Sequence, residues 1–224
     1  STYAIAGGLF GLAGAGIVWA LPGLRATFAS VLGPLESMPW ALNAVRLLGL
    51  GAGAVTPLQM ATAYGVFANG GHRVDPFLIE RITDSKGKAL NEPKPVPLEA
   101  APRVIDARNA FLMTSLLGEV ARSGTAARAS ATLKRNDIYG KTGTTNDSMD
   151  TWFAGFQKSL VAVVWIGYDT PRKLGDKETG GGLALPVWIE YMQYALKGVP
   201  PQKGAAKAPD GLINVGGEWV YEEY

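Results

Sequence analysis

The 224 residues contain no cysteine and one histidine, His72. Disulfides, thiolate metal sites and cysteine nucleophiles are excluded together. A Ser-His-Asp triad or a histidine metal cluster is not expected either. Acid–base chemistry must fall to lysine, tyrosine or carboxylate side chains. The stretch that draws attention is Lys141-Thr142-Gly143-Thr144-Thr145-Asn146, with Asp150-Thr151-Trp152-Phe153-Ala154-Gly155 close behind. Taken alone, Lys-Thr-Gly is short and reads as a polar strand end running into a turn. Its context raises it, because a strand precedes it and a hairpin partner follows. His72 follows a Gly-Gly turn and is expected to be exposed, without a catalytic role. Gly180-Gly181-Gly182 is not a phosphate loop, since no Lys-Ser/Thr follows it. Trp152 reads as a core aromatic and Asp150 as part of a hairpin turn.

The elements that must position these residues are readable from caps and periodicity. Thr56, Pro57 and Gln59 have the spacing of a capping box with proline at the first helical position. The helix they open ends at Asn69-Gly70-Gly71. Phe77 to Thr83 has strand character, Asp84-Ser85-Lys86-Gly87 reads as a turn, and Lys88-Ala89-Leu90 returns antiparallel. Four prolines between Asn91 and Pro102 make an extended connection. Asp106 caps a second helix running to about Ser123, with Phe111, Leu112, Leu116 and Val120 as its expected buried stripe. Strands follow at Ile138–Thr145, Thr151–Phe156 and Leu160–Tyr168, the last two joined at hairpin length by Gln157-Lys158-Ser159. A closing helix spans Ala184 to Leu196, with Leu185, Val187, Trp188, Tyr191, Met192 and Leu196 on its apolar side. The tail from Gly198 reads as a linker ending in a short strand at 217–221. Strands with hairpin connectivity between long helices predict an α+β fold, an antiparallel sheet flanked by helices.

Hydrophobic residues make up 47% of the chain and charged residues 18%, so wholesale disorder is not expected. The net charge of +2, without a basic run or aromatic-basic stripe, predicts no nucleic-acid partner. Ser1 to Leu24 carries no charge and is long enough to span a bilayer. Residues 1–24 are therefore a candidate membrane anchor, and a buried helix is the other reading. Residues 25–42 read as a broken helical connection, 43–198 as the main domain and 199–224 as the C-terminal tail.

Several separated motifs resemble the bifunctional (class A) penicillin-binding proteins. They are Ala54 to Ala61, Ala63-Tyr64, Phe67-Ala68-Asn69-Gly70-Gly71 and Ser123-Gly124-Thr125-Ala126. Gly140 to Asn146, Asp150 to Gly155 and Val164-Trp165-Ile166-Gly167-Tyr168-Asp169 complete the set. Order and spacing agree with the family over roughly Asn43 to Gly198. The resemblance implies a penicillin-binding protein/serine β-lactamase-like fold, here incomplete. It also implies a serine D,D-transpeptidase that cross-links peptidoglycan stem peptides, is acylated by β-lactams and needs no cofactor. Its implied place is the bacterial inner membrane, on the periplasmic face. Lys141 would hold the substrate carboxylate and tune proton transfers. Thr142, Gly143, Thr144 and Thr145 would bind substrate, with the Thr144 backbone N–H as candidate oxyanion donor.

The family's nucleophile motif, Ser-x-x-Lys, is not found at its place. Ser85-Lys86-Gly87-Lys88 fits the spacing, and Thr83 to Lys86 fits with threonine, but both fall in a turn after the long helix. A turn cannot hold the pair on one helix face. Ser37-Met38-Pro39-Trp40 lies in a better region but has Trp40 in place of lysine. The second motif, Ser-x-Asn, is damaged: Asn43 aligns with its asparagine as a substrate-binding position, whereas Ala41 occupies the serine position. An internal deletion accounts for this, and so does a chain whose missing pieces lie elsewhere. The sequence therefore supports a transpeptidase module without its own nucleophile. A non-catalytic module that binds stem peptides or a partner, or an inactive truncated product, are the alternatives.

Overall fold

The computed structural model describes residues 55–202 and 207–223. The candidate anchor 1–24, the connection 25–42 and Asn43 lie outside the described residues. Among the described residues, no helix is long and apolar enough to cross a membrane.

Helix α1 is Pro57–Ala68, and its capping box is complete: Gln59 N donates to Thr56 Oγ1 and Thr56 N donates to Gln59 Oε1. A small exposed hairpin follows, β1 (Ile82–Thr83) and β2 (Ala89–Asn91). Only the end of the expected 77–83 strand is paired. Leu78 is 88% exposed, because no second layer among the described residues lies over this segment to reward an extended apolar run. Helix α2 is Ala107–Arg122, capped by Asp106, whose side chain accepts from Arg108 N. Helix α3 (Ala127–Leu133) leads into β3 (Tyr139–Thr144), β4 (Asp150–Gln157) and β5 (Leu160–Gly167). These three form one antiparallel sheet in the order β3-β4-β5. The two-residue Lys158-Ser159 turn joins β4 to β5, and Gln157 Oε1 accepts from Ser159 N and Oγ. Helix α4 is Ala184–Ala195. The tail holds a further hairpin, β6 (Leu212–Val215) and β7 (Glu218–Tyr221).

Both faces of the sheet are covered. Alternation along a strand sends successive side chains to opposite faces. Phe153, with Ala162 and Val164, meets α4, where Trp188 crosses it edge-on at 4.8 Å and donates through Nε1 to Ala162 O. Ala154 and Phe156, with Val161 and Val163, meet Met60 and Tyr64 of α1 and Leu117 of α2. Register places Tyr139, Lys141 and Gly143 opposite Phe156, Ala154 and Trp152, so these six share that second face.

Two helices rotate relative to the expected stripes. On α2 the fully buried positions are Asn109, Ala110, Leu117, Gly118 and Ala121, and Leu116 is 49% exposed. Small residues do the packing here: a Cβ at Gly118 would meet the Tyr139 ring at 3.1 Å, so β3 comes close only because position 118 has none. Phe111 serves the tail instead, packing against Trp219 of β7. On α4, Val187 and Tyr191 are half exposed, whereas Ala184 and Ile189 are buried. His72 is half-buried rather than exposed, because its Nδ1 bonds to Ala101 O at 2.8 Å and its strand segment bridges to Arg103.

Candidate functional site

The site is built on the C-terminal end of β3. Among the described residues this is an edge strand of the sheet, with β4 as its one neighbour. Lys141 is partly buried, and its Nζ donates to Thr142 O at 2.8 Å and to Thr142 Oγ1 at 3.2 Å. Burial penalises the ammonium and lowers the lysine pKa below its ordinary value. Thr142 Oγ1 lies 3.1 Å from Thr125 Oγ1, which belongs to the loop between α2 and α3. Thr144 Oγ1 accepts from Gly180 N at 3.0 Å. An oxygen that accepts in this way keeps its own hydrogen for another acceptor.

Glycines let the surrounding loops approach. Gly180 lies across the end of β3 and β4, and a Cβ there would be 2.5 Å from both Gly143 O and Trp152 O. A Cβ at Gly143 would press on Trp152 Cβ at 3.2 Å. Trp152 in turn packs with Trp165, whose Nε1 donates to Asp150 Oδ2. Beyond β3 the chain turns through Asn146–Ser148, and Asp147 and Ser148 hold φ of 59° and 53°. Such left-handed conformations are uncommon away from glycine. Thr145 closes this turn: its Oγ1 donates to Asp150 O and accepts from Asp150 N.

The sequence-selected residues therefore separate into groups. Lys141, Thr142, Gly143 and Thr144 stand together on the strand end. The Thr145 hydroxyl is turned back into the β3–β4 connection. Ser85 and Lys88 sit exposed in the β1–β2 turn, where Asp84 Oδ1 accepts from Lys86 N and Lys88 N. Thr125 and Gly180 had no assigned role from sequence. The one signal for Thr125 was its place in the Ser123-Gly124-Thr125-Ala126 motif. Among the described residues no group of three or more histidine, aspartate or glutamate side chains could hold a metal ion.

Residues 33–193 match the penicillin-binding protein transpeptidase domain. The chain is 48% identical to penicillin-binding protein 1A of Neisseria lactamica over 178 residues, covering 79% of this chain and 22% of that relative. It is 40% identical to penicillin-binding protein 1A of Pseudomonas aeruginosa, covering 75% of this chain and 26% of that one. The crystal structure of penicillin-binding protein 1A from Haemophilus influenzae superposes with a TM-score of 0.67 at 35% identity, covering 78% of this chain and 32% of that one. The fold also matches PonA1 of Mycobacterium tuberculosis, solved in complex with penicillin V, with a TM-score of 0.51 at 24% identity, covering 66% of this chain and 40% of that one. The chain thus spans about a quarter of the length of the curated relatives it matches. With the family's domain matched over most of the chain, and the strand end built around Lys141 and its threonines, the chain belongs to the penicillin-binding protein transpeptidase family.

Proposed function

We propose that this chain is a peptidoglycan D,D-transpeptidase module of bacterial cell-wall synthesis, one that holds the D-Ala-D-Ala end of a stem peptide without carrying its own nucleophile. The arrangement that supports this reading is the ammonium of Lys141 beside the hydroxyls of Thr142 and Thr144 on one strand end. Three donors of this kind suit an anionic terminal carboxylate, and hydrogen bonds to a charged group are the strong ones. As an edge strand among the described residues, β3 can pair with an extended peptide as an added strand. β-Lactams present a carboxylate to the same donors. Asn43 stands in this reading as the remnant of the second family motif. The setting is the periplasmic face of the inner membrane, with residues 1–24 as the anchor.

Ser85-Lys86-Gly87-Lys88 is the one Ser-x-x-Lys spacing in the chain. Its exposed turn geometry favours a binding module over an acylating one. The expected outcome with a fluorescent penicillin is no covalent labelling of this chain. A diacetyl-L-Lys-D-Ala-D-Ala peptide should bind in the millimolar range, and Lys141→Ala should weaken it. Covalent labelling that Ser85→Ala abolishes would overturn the reading, as would no peptide binding at all. A broad, non-cooperative thermal transition would favour an inactive truncated product instead.

A further inference from the structure

Hydrogen-bond direction around Lys141 is set by chemistry. An ammonium has hydrogens to give and no lone pair to accept. The 3.2 Å contact from Lys141 Nζ therefore makes Thr142 Oγ1 an acceptor, and the Thr142 hydrogen remains for another oxygen. Thr125 Oγ1 lies 3.1 Å from Thr142 Oγ1, and either hydroxyl can donate to the other. When Thr142 donates, Thr125 keeps its own hydrogen for a further acceptor. Thr125 is exposed, so this hydrogen faces solvent at the rim of the site.

The loop that carries Thr125 is held in place. Gly124 N and Ala126 N donate to Val120 O, folding the loop onto the last turn of α2. A Cβ at Gly124 would be 2.9 Å from Val120 Cα, so glycine is required for that fold. On the other side, a Cβ at Gly181 would stand 3.7 Å from Thr125 O and 4.0 Å from Thr142 Cγ2. A side chain at position 181 would occupy the space beside both threonines, and glycine leaves it open.

We propose that Thr125 is a further ligand-binding residue of the site: its exposed hydroxyl, held beside Thr142 at the rim, donates to the terminal carboxylate of a peptide bound along β3. This rests on the reading under Proposed function. Because the loop that carries this hydroxyl is folded onto α2 before the ligand arrives, less ordering is left to the binding step.

The test uses the 224-residue chain, diacetyl-L-Lys-D-Ala-D-Ala and the same peptide with a C-terminal amide. Thr125→Val removes the hydroxyl at nearly constant shape, and Thr125→Ser keeps it. Thr125→Val should weaken the acid peptide roughly tenfold, the effect of one hydrogen bond to a charged group. The amide peptide should be unaffected, and Thr125→Ser should restore acid binding. In parallel, side-chain NMR of Lys141 should show it titrating at lower pH in Thr125→Val and returning in Thr125→Ser, because the hydroxyl chain that steadies the ammonium has lost its end. Unchanged acid binding, or equal weakening of both peptides, would overturn the role of Thr125 while leaving the site reading intact. Failure of the unaltered chain to bind either peptide would overturn both. The Lys141 titration would then still report whether the hydroxyl chain exists.

Discussion

The two ends of β3 treat charge in opposite ways. Just before the strand, Arg135 and Asp137 are both buried and face each other at 2.8 Å and 2.7 Å. Arg135 also donates to Val199 O and Pro200 O, and Asp137 Oδ2 accepts from Gln157 Nε2 and Gln202 N. Burial alone would raise the Asp137 pKa, but the hydrogen bonds from Arg135, Gln202 and Gln157 outweigh it and hold the carboxyl below its usual range. At the far end, burial is what moves Lys141, and it moves the lysine down. A charge whose surroundings answer it pins the chain, here tying the segment after α4 to the sheet. Lys141 has hydrogen-bond partners too, yet its burial still lowers its pKa, so an arriving anion would favour its charged form.

The largest effect expected from breaking this contrast is at the first end. Asp137→Ala leaves the Arg135 guanidinium buried beside the orphaned Gln157 and Gln202 donors. It should cost about 3–5 kcal/mol in urea unfolding, the range for removing one partner of a buried pair. Peptide binding by the variant that remains folded should change little. A loss below about 1 kcal/mol would mean that the cluster relaxes into solvent and does not pin the tail.

Lys141→Met should show the reverse pattern. Stability should change little, since relief of the ammonium's burial offsets the loss of its hydrogen bonds to Thr142. Carboxylate affinity should fall roughly tenfold or more by isothermal titration. If stability collapsed instead, the lysine would be a structural anchor like Arg135.

The same contrast has a pH signature in two separate ranges, acid for Asp137 and alkaline for Lys141, and stability rises with pH through both. Asp137 has a lowered folded pKa, so its contribution is present above the unfolded carboxylate pKa. It is lost as pH falls through the lowered value. Lys141 also has a lowered folded pKa, but it is a base. Its penalty is present while it is charged and is relieved as pH rises from the lowered value toward that of an ordinary lysine. Over that alkaline range carboxylate binding should fade while stability rises. Asp137→Asn should flatten only the acid limb, and Lys141→Met only the alkaline one.

Much of the scaffold was readable because local chemistry dictates it. Thr56 and Gln59 cap α1 reciprocally, Asp106 caps α2, and the β4–β5 turn follows from its length. What escaped reading depends on partners far along the chain. Arg135 and Asp137 sit two residues apart and look like an ordinary solvated loop until residues 157 and 199–202 close over them. Thr125 meets Thr142 across 17 residues through the α3 crossing. The α2 stripe was misplaced because apolar size was weighed, whereas contact with β3 demands small residues such as Gly118 and Ala121. At the site itself, Lys141 to Thr144 were found as a motif. Thr145 belongs to the same run, and the bonds of its hydroxyl to Asp150 depend on the geometry of the turn.

The smallest expected effect tests whether the site end of β3 is also braced from within. Gly180 is buried, and its backbone N–H donates to Thr144 Oγ1 at 3.0 Å. Buried backbone donors need a partner. Thr144→Val removes the acceptor and should cost about 1 kcal/mol, the lower end for an orphaned buried donor. Thr144→Ser keeps the oxygen and should cost almost nothing. Hydrogen exchange at Gly180 N–H should accelerate in the valine variant and not in the serine one. If both variants leave that amide equally protected, Gly180 is held by its packing on Gly143 and Trp152, and the Thr144 hydroxyl is committed wholly to the ligand.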